Sequence, residues 1–415
     1  MRGKGEGSIY RVPKDRTQPL KYWVAVVELP AGPDGKRRRK PIRSKSKTIV
    51  IEELRKLQQD KATAGGDLPT SSQTVEQWFR NWLTLTGREV APNTLAGYRS
   101  TTLNHILPAI GGVNLSKLTP AHVRRVHDHV TDGLGLSSTT ALLAHRVLSL
   151  GLKAAEREGR ILRNPATLVD PPRKAVAELE ALTLGEALDV LEHLKDEPLG
   201  ARWATSLLTG ARRGEVIGLE RDRVAEDLDF SWQLQRVIWE HGCGGRCGKS
   251  RGADCPSRRH SFPADFEHRQ IDGGLFWTRP KSKAGWRIIP LVDPLRGMLE
   301  QHLSFTEPNL WGLMFDLNGR PLDPDDDSAR WRDVLKATGI EKDVHLHGLR
   351  HTAVDLLYLA GVDEDLITQI LGHSTRAMSR SYRSKADRAR MLTAMESMSS
   401  LFSRPVEGTP QAVAE

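Results

Sequence analysis

The sequence predicts a multidomain protein: a small β-sheet plus a helix, then an all-α domain, then a mixed α+β domain that is mostly helical. Three observations lead to this prediction. The chain has 415 residues, too many for one ordinary domain. Connectors containing Gly or Pro, at residues 61–70 and 170–174, divide it into three parts. The hydrophobic pattern combines strands and a helix before the first connector, is helical between the two connectors, and combines helices and strands after the second.

The composition describes a chain with enough apolar residues for real cores. Hydrophobic residues make up 38% of the sequence, and the mean hydropathy is −0.44. No apolar run approaches the roughly 18 residues of a membrane span, and the basic N-terminus lacks the apolar core of a signal peptide. Three cysteines argue against a disulfide framework. We therefore expect a cytoplasmic protein with no membrane partner.

Positive charge is concentrated in the first 60 residues. They hold 16 Lys and Arg against seven Asp and Glu, an excess equal to the net charge of +9 of the whole chain. The pattern predicts a strand over Tyr22–Leu29, a turn at residues 32–35, a second, basic strand and a helix over residues 49–59. A polyanionic partner would suit this segment, and a solvated hairpin or a disordered basic arm is the alternative. Its most basic stretch is formed by Lys36, Arg37, Arg38, Arg39 and Lys40.

Residues 72–170 read as amphipathic helices interrupted by Pro92, Pro108 and Gly111. A helical hairpin over residues 137–158 completes a predicted four-helix bundle, in which the Leu, Trp and Val stripes form the core. Its basic face carries Arg99, Lys117 and Arg124, although solvated charges at helical spacing would look the same.

The segment from Val344 to Tyr382 carries the strongest chemical signal. His347 and Arg350 share a helical face through their i, i+3 spacing. A second short helix stops at Gly372, His373 follows at once, and Tyr382 lies nine residues later. Guanidinium and imidazole groups can stabilise a phosphodiester as charge builds in the transition state, and a phenol can be the nucleophile.

The ordered motifs HGLRH, LGHS and Tyr382 resemble the C-terminal half of the active site of the tyrosine recombinases, the phage integrase family. The family also has an earlier arginine in a TGxRxxE context and a lysine on a β-hairpin. Here TGARRGEV supplies Arg212 and Glu215, and KSKAGWRIIPL supplies the basic hairpin at residues 281–291. The resemblance thus covers roughly the last half of the chain.

The resemblance implies a role for each of these residues. Arg212, Arg350 and His347 would stabilise the phosphorane, and Tyr382 would be the nucleophile. His373 would hydrogen-bond the phosphate or assist. Lys283 would protonate the leaving 5′ oxygen, with Lys281 as the alternative. Glu215 would orient the site, although an i, i+3 ion pair with Arg212 would suffice to explain it.

The resemblance also implies a domain plan. Residues 1–65 would be an arm-type DNA-binding domain, in which Lys36, Arg37, Arg38, Arg39 and Lys40 would contact phosphates. Residues 72–170 would be the helical, SAM-like core-binding domain, with Arg99, Lys117 and Arg124 as its candidate DNA-facing residues. Residues 178–400 would be the catalytic domain and 401–415 a disordered tail. A helix after Tyr382, with methionines on one stripe, would pack within its own chain or dock on a neighbouring subunit.

A cysteine-rich insertion at residues 241–260 departs from the minimal family pattern. It holds all three cysteines, with histidines at both edges. Three thiols and an imidazole suit a tetrahedral zinc site, although the spacing is not a standard zinc-finger spacing and free thiols in a loop are the alternative. The candidate ligands are Cys243, Cys247, Cys255 and His260.

The function implied is that of a site-specific DNA recombinase, the integrase of a prophage or integrative mobile element. It would cut and rejoin attachment sites in double-stranded DNA through a 3′-phosphotyrosyl intermediate, as a homotetramer and without a catalytic cofactor. A host DNA-bending protein and an excision factor are further expected partners. A Xer-type resolvase and a catalytically inactive DNA-binding architectural protein are the alternatives.

Overall fold

The computed structural model describes seven stretches of the chain: residues 9–30, 37–63, 73–175, 180–244, 246–280, 285–372 and 385–403. The chain divides into two compact units, Met1–Val176 and Ala177–Glu415. Helices dominate both units, and the sheets are small. No helix in the described stretches is long and apolar enough to cross a membrane.

The first unit opens with a three-stranded antiparallel sheet covered by a helix. The strands β1 (Ile9–Val12), β2 (Tyr22–Leu29) and β3 (Arg38–Ser44) lie in chain order, and α1 (Lys47–Thr63) follows. The strand predicted at Tyr22–Leu29 is present, and the helix is longer than the predicted 49–59. The sheet and α1 bury a small core made of Ala25, Val27, Leu29, Ile42, Val50 and Leu54.

The rest of the first unit is a bundle of helices around its own apolar core. A capping box between Thr74 and Gln77 starts the first of these helices, and Pro92 occupies the first turn of the next, where its missing N–H costs nothing. Trp78 and Phe79 are fully buried, and the Trp78 indole donates to the carbonyl of Gly151 at 2.9 Å. The helices are α2 (Val75–Thr86), α3 (Pro92–Thr101), α4 (Leu107–Ile110), α5 (Pro120–Asp128) and α6 (Ser138–Arg157).

The second unit is mostly helical. Thr183 and Glu186 form the capping box that starts its first helix. Its helices are α7 (Leu184–Leu194), α8 (Gly200–Thr209), α9 (Arg213–Ile217), α10 (Leu295–Phe305), α11 (Pro324–Ala337), α12 (Gly348–Leu359), α13 (Glu364–Leu371) and α14 (Lys385–Ser403). The last helix continues past residue 400, where the predicted tail begins.

Four small antiparallel sheets flank these helices: β4 pairs with β10, β5 and β8 pair with β9, β6 with β7, and β11 with β12. The strands are β4 (Asp227–Asp229), β5 (Gln233–Arg236), β6 (Glu240–His241), β7 (Arg258–Arg259), β8 (His268–Asp272), β9 (Leu275–Thr278), β10 (Ile288–Pro290), β11 (Asp316–Leu317) and β12 (Arg320–Pro321). The prediction that the strands around residues 281–284 form one hairpin is wrong. Both edges of β9 are already occupied, so β10 pairs elsewhere.

The helix α14 packs within its own chain. Ala394, Met395 and Met398 are buried in the core of the second unit. Met395 and Met398 also line a small cavity with Leu208 and Pro290. Of the two placements that the sequence allowed for this helix, the structure has the one in cis.

Candidate active site

A tight turn between α8 and α9 positions Arg212. Gly210 has φ of +62°, a left-handed conformation that favours glycine, and a Cβ there would lie 2.3 Å from Leu371 Cδ2. The Thr209 hydroxyl accepts the backbone N–H of Ala211 and so fixes the other side of the turn. Arg212 follows at the start of α9, with 38% of its side chain exposed. Thr209 and Gly210, the first two residues of the TGARRGEV motif, therefore position Arg212.

Arg350 lies in the first turn of α12 and is 3% exposed. Its guanidinium donates to the carbonyl of Gly210 at 2.7 Å and to the carbonyl of Leu371 at 2.6 Å. Burial, with the positive charges of Arg212 and Arg287, lowers the pKa of Arg350 to about 9. Each Nη carries a second N–H, so the same group can also donate to a phosphate.

The carboxylate of Glu215 accepts hydrogen bonds from two arginines, Arg212 and Arg287. One carboxylate oxygen accepts from Arg212 Nη1, and the other accepts from the Arg212 backbone N–H and from Arg287 Nη2, all at 2.8 Å. Glu215 is fully buried. Burial raises the pKa of its carboxyl, but Arg287 and Arg212 more than offset this, so the net pKa is lowered and the carboxylate stays charged.

The guanidinium groups of Arg350 and Arg212 donate hydrogen bonds to the carbonyls of two consecutive residues. Arg350 donates to Leu371, and Arg212 donates to the next carbonyl, that of Gly372, at 3.4 Å. The C-terminal end of α13 is therefore the point where both arginines meet. Arg213, the neighbour of Arg212, instead donates to Pro324 and Ser328 at 2.9 Å. Only the first arginine of the RR pair belongs to this site.

His347 occupies the N-cap position of α12 without a side-chain capping hydrogen bond, and it is exposed whereas Arg350 is buried. Its ring meets the ring of His351 edge to face, with centroids 5.4 Å apart. Partial desolvation, His351 and the charges of Arg350 and Arg212 lower the pKa of His347. The neighbouring His345 is exposed and pairs with Asp343 at 3.2 Å. The structure thus brings together Arg212, Arg350, His347 and Glu215.

Four predicted site residues lie outside the described residues. They are Lys281 and Lys283, which fall between β9 and β10, and His373 and Tyr382, which fall between α13 and α14. The chain on both sides of each gap is described. Gly372, the residue before His373, has φ of +67° and accepts the hydrogen bond from Arg212.

Arg287 is the site residue that the sequence analysis missed. It precedes β10, is 6% exposed and holds Glu215 by an ion pair at 2.8 Å. Its guanidinium also lies over the ring of Phe230, 5.1 Å from the centroid. The available signal was an arginine beside the apolar stretch Ile288–Leu291, a place where an unpaired charge would be costly.

The candidate DNA-facing residues that the structure describes are exposed or half-buried in the first unit. Arg37 and Arg39 both pair with Glu28 on the adjacent strand, at 2.6 and 3.3 Å. Arg38 and Lys40 lie on β3, and Lys36 falls outside the described residues. In the bundle, Arg99 is half-buried in α3, and Lys117 and Arg124 are exposed.

The three cysteines lie together, with His241 as the fourth member of the cluster. The donor atoms of His241, Cys243, Cys247 and Cys255 are within 4.8 Å of one another. The prediction that His260 completes this set is wrong. Its ring packs against Trp239 at a tilt, with centroids 3.7 Å apart, and meets Phe276 edge-on at 4.7 Å. Aromatic packing therefore holds this imidazole away from the thiols.

Comparisons with known proteins agree with this fold. The profile of the phage integrase family matches residues 265–389, and that of the phage integrase N-terminal SAM-like domain matches residues 74–130. An integrase of Saccharopolyspora erythraea is 28% identical over 407 residues, covering 89% of this chain and 92% of the relative.

Two solved structures share the fold. The Tn1549 transposon integrase in complex with a circular intermediate DNA has a TM-score of 0.58 at 17% identity, covering 79% of this chain and 95% of that one. A lambda integrase tetramer bound to a Holliday junction has a TM-score of 0.50 at 15% identity, covering 87% and 95%.

Fold and sequence together define a tyrosine-type site-specific recombinase, an enzyme that breaks and rejoins DNA strands. The chain belongs to the phage integrase family of tyrosine recombinases.

Proposed function

We propose that this chain is the integrase of a prophage or integrative mobile element and cuts DNA with Tyr382. The phenol oxygen attacks a backbone phosphate, a 3′-phosphotyrosyl bond forms, and the bond to the 5′ oxygen breaks. The 5′ hydroxyl of the partner strand then attacks the phosphotyrosine and restores the phosphodiester. One phosphodiester replaces another and the covalent intermediate holds the bond energy, so the cycle uses neither a nucleotide cofactor nor a catalytic metal.

The observation that supports this proposal most directly is the meeting of Arg212 and Arg350 at the end of α13. Both guanidiniums are fixed by backbone carbonyls, at Gly210, Leu371 and Gly372, before any substrate arrives. Donors held in place in this way stabilise transition-state charge without reorganising during the reaction. A phosphate bound beside them would sit next to Gly372, one residue from His373.

The remaining roles follow from chemistry and from sequence position. His347, which is exposed, would donate to a non-bridging oxygen, and His373 would do the same or assist. Lys283 would give a proton to the leaving 5′ oxygen, with Lys281 as the alternative. Glu215 and Arg287 would hold Arg212 and would not touch the DNA.

The partner we propose is double-stranded DNA carrying attachment sites, reached in the bacterial cytoplasm. Arg37, Arg38, Arg39 and Lys40 would contact phosphates outside the crossover site, and Arg99, Lys117 and Arg124 would contact those nearer to it. Exchanging strands between two duplexes needs four cuts. A homotetramer on paired sites would supply four tyrosines, in the stoichiometry of the lambda integrase tetramer. A host DNA-bending protein and an excision factor are further proposed partners.

A covalent trapping assay tests the chemistry. Duplexes tiled across the junctions between the element and its host genome would carry a nick near each candidate crossover point, so that the cleaved strand end diffuses away. We expect a protein–DNA adduct on a denaturing gel, with the DNA attached to Tyr382. Tyr382→Phe should abolish the adduct. Tyr358→Phe, which changes an exposed tyrosine of α12, is the matched control and should leave it intact.

Each outcome has a definite meaning. An adduct that survives Tyr382→Phe would overturn the assignment of the nucleophile. Tight binding of the junction DNA without any adduct would identify a catalytically inactive DNA-binding protein. Trapping only on a chromosomal dimer-resolution site would favour a Xer-type resolvase.

A further inference from the structure

The insertion between β5 and β8 contains a group of side chains that the recombination chemistry does not use. We propose that His241, Cys243, Cys247 and Cys255 bind one zinc ion and that this ion holds the insertion in shape. Four protein ligands leave no open coordination position, so the site would be structural and not catalytic.

The positions of the donor atoms fit such a site. In a tetrahedral zinc centre with Zn–S near 2.3 Å and Zn–N near 2.0 Å, the donor atoms lie roughly 3.5 to 3.8 Å apart. Here all four lie within 4.8 Å of one another, and His241 Nδ1 is 3.3 Å from Cys247 Sγ. A small contraction about the ion would complete the geometry.

Two of the cysteines lie at tight turns. Each precedes a glycine in the left-handed region, Gly244 with φ of +66° and Gly248 with φ of +67°. These turns fold the short segment back on itself, and the donor atoms of Cys243 and Cys247 lie close to those of His241 and Cys255.

The insertion has little else to hold it together. Among residues 241–244 and 246–260, Cys255 is the one buried apolar side chain. The strands β6 and β7 pair over only two residues each. A disulfide would join two of the three cysteines and leave the third, whereas one metal ion uses all three and the histidine. A segment without an apolar core gains its folding energy from such an ion.

The positions of His241 and His260 in the fold explain why the sequence alone indicated the wrong histidine. His241 and Cys243 are separated by one residue at the end of β6, on the side where Cys247 and Cys255 return. His260 lies past β7, where Trp239 and Phe276 enclose it. The ligand set is therefore H-x-C-x3-C-x7-C, read from His241 to Cys255.

The metal content of the full-length protein tests the proposal. Protein purified with a phosphine reductant and without chelators should contain about one zinc per chain by mass spectrometry. After exchange, Co²⁺ should give thiolate-to-metal charge-transfer bands in the near ultraviolet and the visible bands of a tetrahedral centre. Less than about a tenth of an equivalent after incubation with zinc chloride, with no thiolate bands for Co²⁺, would overturn the proposal.

Two histidine variants test the ligand set directly. His241→Gln should lose most of the zinc, as should Cys247→Ser, whereas His260→Gln should keep about one equivalent. Loss of zinc from His260→Gln together with retention by His241→Gln would overturn the assignment of His241. The metal content and the cobalt spectrum of the unmodified chain do not depend on whether any variant folds.

Discussion

Arg350 donates a hydrogen bond to the carbonyl of Gly210 at 2.7 Å, across 140 residues of sequence. The same guanidinium holds the carbonyl of Leu371. One buried side chain therefore connects two parts of the site. They are the turn that positions Arg212 and the end of α13, the helix that precedes His373. Any change at Arg350 should alter both the geometry of the site and the stability of the second unit.

Replacing Arg350 with Lys tests this double role. A lysine ammonium cannot reproduce the planar fork, so it cannot reach both carbonyls and a phosphate together. We expect covalent trapping to slow by about 10²–10³-fold, the usual cost of one missing transition-state donor. We also expect a loss of about 2 kcal/mol in the free energy of unfolding. Trapping kinetics and urea denaturation would measure the two effects.

The control for this change is Arg332→Lys, at an exposed arginine of α11 in the same unit. It should leave the free energy of unfolding within about 0.5 kcal/mol of the unmodified chain. A trapping rate for Arg350→Lys equal to that of the control would refute the role of this guanidinium.

Gly210 should tolerate no side chain. Its φ of +62° strains any other residue, and an added Cβ would also lie 2.3 Å from Leu371 Cδ2 and 3.2 Å from Ala353 Cβ. Gly339 separates these two effects, because its φ is +71° and a Cβ there would have no atom within 4 Å. We expect Gly339→Ala to cost about 1 kcal/mol through strain alone.

Gly210→Ala should cost clearly more, and it should also slow trapping because the carbonyl that receives Arg350 moves. Thermal unfolding of both variants, followed by trapping assays, would compare them. Equal destabilisation by the two substitutions would show that α13 does not pack tightly on this turn.

The buried pair of Glu215 and Arg287 gives a prediction about stability. Arg287→Met removes one partner of a buried ion pair, and we expect a loss of about 3 kcal/mol, since Glu215 keeps Arg212 as a second partner. Arg80→Met, which breaks the exposed pair with Glu76 in α2, is the matched control and should cost about 0.5 kcal/mol or less. Denaturant titration of both variants checks the difference.

The pH dependence of this pair has a definite sign. The folded-state pKa of Glu215 is lowered, so its contribution to stability is present above the unfolded-state pKa and is lost as pH falls through the folded one. Glu215→Gln should therefore flatten the acid limb of the stability curve. An unchanged acid limb in that variant would mean that other carboxyls dominate it.

Much of the fold could be predicted from local sequence signals. The strand at Tyr22–Leu29, the capping box at Thr183 and the helix stop at Gly372 each depend on neighbouring residues, and each is present. The pairing of β10 with β4 could not be predicted in this way. It depends on β8, which pairs with the edge of β9 that β5 leaves open.

The same distinction between features set by neighbouring residues and features set by distant residues holds for the site. The motifs indicated which residue types belong to it, and the structure brings Arg212, Glu215, His347 and Arg350 together. Arg287 was missed because its role depends on a carboxylate 72 residues earlier. His260 was predicted as a ligand in place of His241 because the sequence does not show that the His260 imidazole packs against Trp239.

His347 should take up a proton when DNA binds. In the free protein its pKa is lowered by desolvation and by the charges of His351, Arg350 and Arg212, so the ring is neutral at neutral pH. A phosphate placed among these cations would offset their repulsion and favour the imidazolium. The pKa should rise in the complex, and binding should tighten as pH falls between the bound and the free pKa.

Titration of the histidine ring signals by NMR, with Tyr382→Phe protein to block cleavage, would measure both pKa values. The signal of His347 is the one lost in His347→Gln, and His345→Gln, at the exposed histidine two residues earlier, is the matched control. His347→Gln should also weaken the pH dependence of binding, because it removes the group that gains the proton. A pKa that is equal or lower in the complex would place the phosphate away from His347, and Arg212 and Arg350 would then bind it without help from this ring.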